Sequence, residues 1–371
     1  MKTIGRVAKC LLFTRRSLSF PRGVFLNKPV KSEASPLDHA LKAVGDPWSY
    51  LILQEAFFGV RRFDDFQRNL NIARNTLTDR LALLIRYGLL RKSAYQSRPR
   101  RYEYRLTARG LDTYPYALSL MKWGDEWLSK REGAPVRLRH KTCNKPLRPL
   151  AICEACNREV RAEDVSINPG SAKVQVLEGG QVRYSSRPEL YIAGRRPTSV
   201  SRALAAIGDR WGFFVLWLAL AGVTKFDHFH RMLGIARTTL TARLDRLTQR
   251  GLFERVQYQE RPPRYEYLLS PKGKALCPVL FTLFDWGKRG MRSQGTDASL
   301  LHKSCGKPLR VLVVCEHCKE VADPHDAEVI TEDSKKASGS AKSAPTASSP
   351  IPFSVRNKAG GQTRTSASRK Q

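Results

Sequence analysis

Two sets of four residues in this chain have the types and spacing of metal ligands. His140, Cys143, Cys153 and Cys156 follow the pattern His-x2-Cys-x9-Cys-x2-Cys, and His302, Cys305, Cys315 and Cys318 repeat it. A Cys-x2-Cys turn brings two thiolates to one metal, and two further nitrogen or sulfur ligands complete the tetrahedron that structural zinc prefers. Taken in chain order, each set is expected to hold its own zinc, with the apolar Ile152 and Val313-Val314 forming a strand that enters each knuckle. The competing reading is a set of reduced or redox-active thiols. His317, inside the second Cys pair, is an alternative to His302, although Ala155 stands in its place in the first set. Cys10 and Cys277 belong to no repeated set, and Cys277 aligns with Tyr114.

The repetition extends far beyond the cysteines. At an offset of 163 residues Trp48 meets Trp211, Leu77 meets Leu240, Tyr102 meets Tyr265, Gly110 meets Gly273 and Trp123 meets Trp286. The offset becomes 162 at the ligand sets, where His140 meets His302. Agreement over so long a stretch is the signature of a duplication. Each copy consists of a main domain and a short Cys-containing appendage.

The elements that must position these groups follow from periodicity. Leu37, Ala40, Leu41 and Val44 recur at helical spacing, and Gly45-Asp46-Pro47 breaks that helix and starts another through Leu51, Ile52 and Ala56. Phe63 and Phe66 mark a third, short helix. A fourth follows Asn71-Ile72-Ala73-Arg74, with Leu77, Leu81 and Leu84 along one face. Alternation around Leu89-Leu90 and over Arg101–Leu106, with a turn at Ser97-Arg98-Pro99-Arg100, predicts a β-hairpin. Thr107 and Ser270 are expected N-caps of a closing helix that carries Leu118, Met121 and Trp123, with Pro271 at its first position in copy two. Trp48, Trp123, Trp211 and Trp286 are expected in the core.

Helices in this order followed by a two-stranded ribbon describe a winged helix-turn-helix, in which the fourth helix enters the major groove and the ribbon tip touches backbone or minor groove. The polar side of that helix holds Arg74, Asn75, Thr76, Thr78 and Asp79, then Ala82 and Arg86. Copy two has Arg237, Thr238, Thr239 and Thr241, then Ala242, Asp245 and Gln249. The tips carry Arg98 and Arg101, then Arg261 and Arg264, placed for phosphate. A solvated helix face and a solubilising turn are the plain alternatives.

The strings VGDPWSYLILQEAFFGVRRFDDFQRNLNIARNTLTDRLALLIRYGLL and RPRRYEYRLTARG, with their counterparts IGDRWGFFVLWLALAGVTKFDHFHRMLGIARTTLTARLDRLTQRGLF and RPPRYEYLLSPKG, resemble the HxlR family of bacterial winged helix-turn-helix transcription regulators. The resemblance implies DNA binding as a dimer, with recognition helices at about 73–86 and 236–249. Redox-sensing members carry a Cys just before the first helix. Here those places hold Ser35 and Thr198, which form no disulfide, so a thiol switch there is excluded.

Composition agrees. The 371 residues carry a formal charge of +32, of which the acid-free first 32 residues hold +8, the stretch 331–371 holds +6 and the rest +18. Basicity shared by folded parts points to a polyanion, most simply a phosphate backbone. No apolar run is long enough to span a bilayer, and no P-loop, G-x-G-x-x-G, nucleophile elbow or H-E-x-x-H helix signals catalysis.

The expected fold class is mainly α with small β-hairpins, α+β: two winged helix-turn-helix domains, each with a small zinc-knuckle-like appendage. The expected segments are a basic leader (1–34), which also has the composition of a mitochondrial transit peptide, domain one (35–130), appendage one (131–160), a linker with one short strand (161–197), domain two (198–292), appendage two (293–330) and a basic tail (331–371). The expected function is sequence-specific binding of double-stranded DNA in the bacterial cytoplasm, at the nucleoid, by a non-enzymatic regulator with two structural zinc sites and no membrane partner. Two recognition helices in one chain would act as an intramolecular pseudo-dimer on an imperfect palindrome, with a homodimer as the rival assembly. A protein that coats nucleic acid without regard to sequence, and a metal or redox sensor, are the alternative functions.

Overall fold

A computed structural model describes residues 35–129, 136–170, 198–291 and 297–330. The leader, the tail, Cys10 and 171–197 of the linker lie outside them. The described residues up to Val329 form one compact unit, and beyond it only Ile330 is described. The architecture is the expected α+β.

Repeat one contains α1 (Pro36–Val44), α2 (Pro47–Phe57), α3 (Phe63–Leu70), α4 (Arg74–Arg86), a hairpin of β1 (Leu90–Gln96) and β2 (Arg101–Leu106), α5 (Ala108–Leu111) and α6 (Tyr114–Leu128). Strands β3 (Arg137–His140), β4 (Lys145–Pro146), β5 (Pro149–Cys153) and β6 (Val165–Asn168) follow. Repeat two matches it with α7 (Ser199–Ile207), α8 (Arg210–Leu220), α9 (Phe226–Leu233), α10 (Arg237–Gln249), β7 (Phe253–Gln259), β8 (Arg264–Leu269), α11 (Pro271–Lys274) and α12 (Cys277–Arg289). It ends in β9 (Ser299–His302), β10 (Lys307–Pro308), β11 (Val311–Cys315) and β12 (Ala327–Ile330).

Local chemistry sets the boundaries. The hydroxyl of Ser35 accepts from the Asp38 amide at 3.1 Å and that of Thr198 from Ser201 at 3.1 Å, so the two residues that stand where a redox Cys would be cap α1 and α7. Asp46 caps α2 with Pro47 at its first position. Asn71 (φ 43°) and Gly234 (φ 63°) end α3 and α9 in the left-handed region, which reverses the chain sharply enough to aim α4 and α10 outward. Thr107 and Ser270 are caps as expected, receiving the Gly110 and Gly273 amides at 3.1 and 3.0 Å. The helix they cap is only one turn long. A break at Asp112–Thr113 separates it from α6, because Pro115 supplies no amide to continue the ladder, and Pro278 has the same effect before α12.

The repeats are interlocked. Helix α1 packs on α12, α7 packs on α6, and α6 packs on α12, so the first helix of each repeat lies against the closing helix of the other. Gly124 and Gly287, equivalent under the offset, make the close approach possible: a Cβ on Gly124 would collide with the Ser199 carbonyl, and one on Gly287 with that of Pro36. Across the same seam the Trp123 indole donates to the Lys272 carbonyl at 3.1 Å and the Trp286 indole to that of Arg109 at 3.3 Å, while Arg210 forms a buried ion pair with Asp38. Trp123 and Trp286 are core residues as expected, whereas Trp48 and Trp211 are only partly buried against it. Among the described residues no single helix is long and apolar enough to cross a membrane.

The strands after the closing helices also pair across the repeats. Strand β5 runs antiparallel to β11, with Val313 opposite Ala151; β6 pairs with β9, and β12 with β3. The strand expected in the linker is therefore β6, and its partner belongs to the other repeat.

Candidate nucleic-acid interface and metal centres

Helix α4 is amphipathic for a simple reason. Leu77 and Leu81, four residues apart, are buried with Leu84 on its core side, and Leu240, Leu244 and Leu247 do the same for α10. The opposite side is exposed: Arg74, Asn75, Thr78, Asp79, Ala82 and Arg86 in one repeat, Arg237, Thr238, Thr241, Ala242 and Gln249 in the other. Thr76, Thr239 and Asp245 are half-buried on the flank. The N-cap residues, Ala73 and Ala236, have no side-chain oxygen to accept from the first-turn amides of either helix. Arg74 lies over the Phe63 ring at 4.9 Å, and Arg237 pairs with Asp227 at 3.2 Å, so both guanidinium groups are held near these helix starts.

An ion pair fixes each of these helices to the core, buried for Arg80 with Asp46 and partly buried for Arg243 with Asp209. Arg80 Nε donates to Asp46 Oδ2 at 2.6 Å, and Arg243 Nε donates to both Asp209 oxygens at 2.9 Å. The same carboxylates cap α2 and α8, so one Asp sets the start of one helix and the roll of another. Sequence reasoning read Gly45-Asp46-Pro47 only as a helix break. The signal was present, because Asp46 repeats as Asp209 and Arg80 as Arg243 at the offset of 163.

The wings are antiparallel hairpins, β1 with β2 and β7 with β8. Each is tied to its domain by a backbone bond, from the Tyr104 amide to the Arg61 carbonyl and from Tyr267 to Thr224, both at 2.8 Å. Arg98, Arg101, Arg261 and Arg264 are all exposed at the tips. Cations brace the ribbons on equivalent rings, Lys92 over Tyr102 at 4.1 Å and Arg255 over Tyr265 at 3.7 Å. Two equivalent wing residues, Tyr95 and Tyr258, are 39% and 41% exposed and add a pair of surface rings that the sequence reading missed.

The eight expected ligands converge, but not as chain order suggests. His140 and Cys143 meet Cys315 and Cys318, while Cys153 and Cys156 meet His302 and Cys305, the four ligand atoms of each set lying within 4.8 Å of one another. The expectation of one complete site within each appendage is thus corrected. Each set takes a His-x2-Cys limb from one repeat and a Cys-x2-Cys limb from the other. The cause is the strand pairing: the β5–β11 ladder places Cys153 opposite Val311 and Cys315 opposite Pro149, which carries each Cys pair away from its own histidine.

The dimensions suit a tetrahedral ion. In the first set His140 Nδ1 lies 3.4 Å from Cys143 Sγ and 3.3 Å from Cys318 Sγ, and Cys143 Sγ lies 3.9 Å from Cys315 Sγ. In the second, His302 Nδ1 lies 3.4 Å from Cys305 Sγ and 3.3 Å from Cys156 Sγ, with 4.0 Å between the Cys153 and Cys305 sulfurs. Bonds of about 2.3 Å to sulfur and about 2.0 Å to nitrogen at tetrahedral angles give edges of about 3.8 and 3.5 Å. All eight ligands therefore fit a metal ion, and none of the six ligand cysteines is in a disulfide. Both imidazoles are fully buried, and neither Nε2 has a hydrogen-bond partner among the described residues. The residues after the limbs, Asn144, Asn157, Gly306 and Lys319, all have positive φ, the turn that folds each limb back on itself. Exposed His317 takes no part in either set.

Each repeat has similar regions in known proteins. The HxlR-like helix-turn-helix pattern matches residues 43–132 and again 206–294. A transcriptional regulator of the HTH type from Mycobacterium tuberculosis is 47% identical over 138 residues, 37% of this chain and 87% of its own length. Another, from Methanothermobacter thermautotrophicus, is 40% identical over 91 residues, 24% of this chain and 70% of its own. A solved structure of a candidate transcription factor from Pseudomonas aeruginosa is 30% identical, covers 40% of this chain and 92% of its own, and has a TM-score of 0.26.

Proposed function

The chain belongs to the HxlR-like helix-turn-helix family, a family of DNA-binding transcriptional regulators, and from that premise we propose that it reads double-stranded DNA sequence-specifically with two unlike recognition helices as an intramolecular pseudo-dimer. The observation that carries this reading is the reciprocal packing of α1 on α12 and α7 on α6, which joins two readers in one chain. Single-domain relatives need two chains to meet successive major grooves, roughly 34 to 36 Å apart. Here both readers come together by construction.

The two readers carry different side chains. Asn75 and Asp79 in one repeat correspond to Thr238 and Ala242 in the other, so the two half-sites need not match and an imperfect palindrome is expected. Arg74, Asn75, Thr76, Thr78 and Asp79 face one half-site, and Arg237, Thr238, Thr239 and Thr241 the other. Arg98, Arg101, Arg261 and Arg264 clamp the flanking phosphates. The chain works in the bacterial cytoplasm on the nucleoid, as a regulator and not an enzyme.

Both Cys₃His sets hold structural zinc in this proposal. His140, Cys143, Cys315 and Cys318 ligate one ion, and Cys153, Cys156, His302 and Cys305 the other. Nδ1 of each imidazole and the three sulfurs around it would bind the ion, which would cross-link the repeats.

Selection of bound duplexes from a random pool, followed by footprinting, tests the DNA reading. A two-part site with unlike halves is expected, bound by one chain, and solution mass on the operator distinguishes this from a homodimer with four readers. Arg98→Ala with Arg101→Ala should lower affinity evenly across sequences and reduce the salt slope by about 1 per lost phosphate contact. Equal affinity for operator and random competitor at every salt concentration would instead identify a coating protein.

A further inference from the structure

The two repeats differ at the place where each closing helix begins. Tyr114 opens α6 and Cys277 opens α12, equivalent positions under the offset. The Tyr114 ring is buried, packs at 5.2 Å from the Phe57 ring, and lies close enough to Asp323 for that carboxylate to add to burial in pushing the phenol upward. Cys277 is equally buried but far smaller. Its Sγ lies 4.0 Å from the Val160 carbonyl, and burial holds it as a thiol, so it is no nucleophile.

Beside Cys277 opens a cleft of about 280 Å³. Its apolar lining comes from both repeats and from the Cys-His module: Trp123 on α6, Ala151 on β5, Val160, Pro278 on α12 and Val313 on β11. Lys122, Glu126 and Lys274 stand on its rim, and Glu159, Arg161 and Glu163 balance the charge further along.

The rim differs between the halves as well. On the Tyr114 side Arg289 pairs with Asp112 at 3.3 Å and with Asp285 at 3.4 Å, an ionic clasp across the seam. The equivalent residues on the cleft side are Glu126, Ala275 and Lys122. Lys122 and Glu126 pair at 3.9 Å as Asp285 and Arg289 do, but Ala275 offers a methyl group where Asp112 offers a carboxylate, so the bond across the seam has no counterpart. One half therefore has a phenol side chain and an ion pair across the seam, and the other has neither.

We propose that this cleft is a binding site for one small, uncharged monocyclic aromatic ligand, of the size and shape of the phenol that Tyr114 supplies on the opposite side. The size is at the small end of ligand pockets, which suits one ring with a short substituent and excludes larger cofactors. The Trp123 edge and the aliphatic floor provide the contact surface, and the mixed rim disfavours a net charge of either sign. A ligand there touches both repeats at once. The site stands whether or not the chain reads DNA, so its test uses none.

The probe is 4-methylphenol, the tyrosine side chain as a free molecule. Calorimetric titration of the full chain, with tryptophan emission followed in parallel, should show saturable binding at one site per chain. Cys277→Tyr should fill the cleft and weaken binding at least tenfold, while Cys277→Ala should leave it within about threefold, the removal of one small buried group. Ala151→Leu obstructs the floor from a different element, should also weaken binding at least tenfold, and serves if the tyrosine variant does not fold. No saturable binding by the native chain up to about 10 mM, the weakest range expected of so small a ligand, overturns the proposal. Undiminished binding by folded Cys277→Tyr or by folded Ala151→Leu overturns it equally.

Discussion

Each candidate reader helix is held within one repeat, whereas each Cys-His set is built from two. The reader's ion pair, Asp46 with Arg80, closes within 34 residues, while the ligand set joins His140 to Cys318 across 178. Local pairs such as the first are formed by neighbouring helices whatever the other repeat does. The second kind exists only after the repeats have docked, and so the metal centres report on the association and the reader helices do not.

The largest effect should come from breaking the ligand sets in pairs. Cys143→Ser with Cys315→Ser removes two ligands from one site and should lower bound zinc from two ions per chain to one, whereas Cys143→Ser with Cys153→Ser should remove both, as measured by plasma mass spectrometry. Sites confined to single repeats would give the opposite result. Loss of both ions should separate the repeats and lower the unfolding temperature sharply, since structural zinc contributes about 10 kcal/mol or more in small zinc domains.

Next in size are the reader anchors. Asp46→Ala leaves the Arg80 guanidinium buried without its carboxylate, at an expected cost of about 3–5 kcal/mol. Because this fault lies within one repeat, zinc content should stay at two. A change below about 1 kcal/mol by chemical denaturation would mean the pair contributes no more than a surface ion pair. Gly287→Ala attacks the seam directly by placing a methyl against the Pro36 carbonyl, and a loss of about 1–3 kcal/mol is expected. Here zinc retention and stability should fall together, which the Asp46 variant should not show.

The smallest effect concerns His39, on α1, which contacts Arg109 at 2.9 Å near the end of α12. Burial, then the charges of Arg109 and Lys42, lower its pKa below the ordinary 6.5. A base with a depressed folded pKa is neutral in the folded chain while the unfolded chain still takes up protons. The seam should therefore keep its full stability above pH 6.5 and lose part of it as the pH falls below that value. His39→Gln should flatten this slope in thermal melts; an unchanged slope would assign it to other groups.

Much of the fold was legible because it depends on short-range pattern. The 3.6-residue spacing of Leu77, Leu81 and Leu84 sets the buried side of α4, Thr107 and Ser270 are caps by their chemistry, and alternation around the Arg-Pro tips gives the wings. The ligand types were legible for the same reason. What escaped was partnership across distance. A duplicated sequence offers each half two chemically equivalent partners, its own and its copy's, and spacing cannot choose between them; the choice is made by β5 pairing with β11. The broken closing helix escaped for a smaller reason, because the cap at Thr107 and the apolar run from Leu118 fit one helix equally well until the proline at 115 is weighed. Nothing short of the fold could show that a cleft opens beside Cys277.

The ladder between β5 and β11 has a consequence for why the halves are tethered. A fragment ending after the first repeat would own only a bidentate limb of each chelate, and could close its coordination spheres only by finding a second polypeptide. Two identical fragments can satisfy that need as well as two different ones. The covalent link therefore does little for architecture and a great deal for parentage: it guarantees that every assembled molecule contains one of each half, and so always presents the same ordered pair of unlike faces.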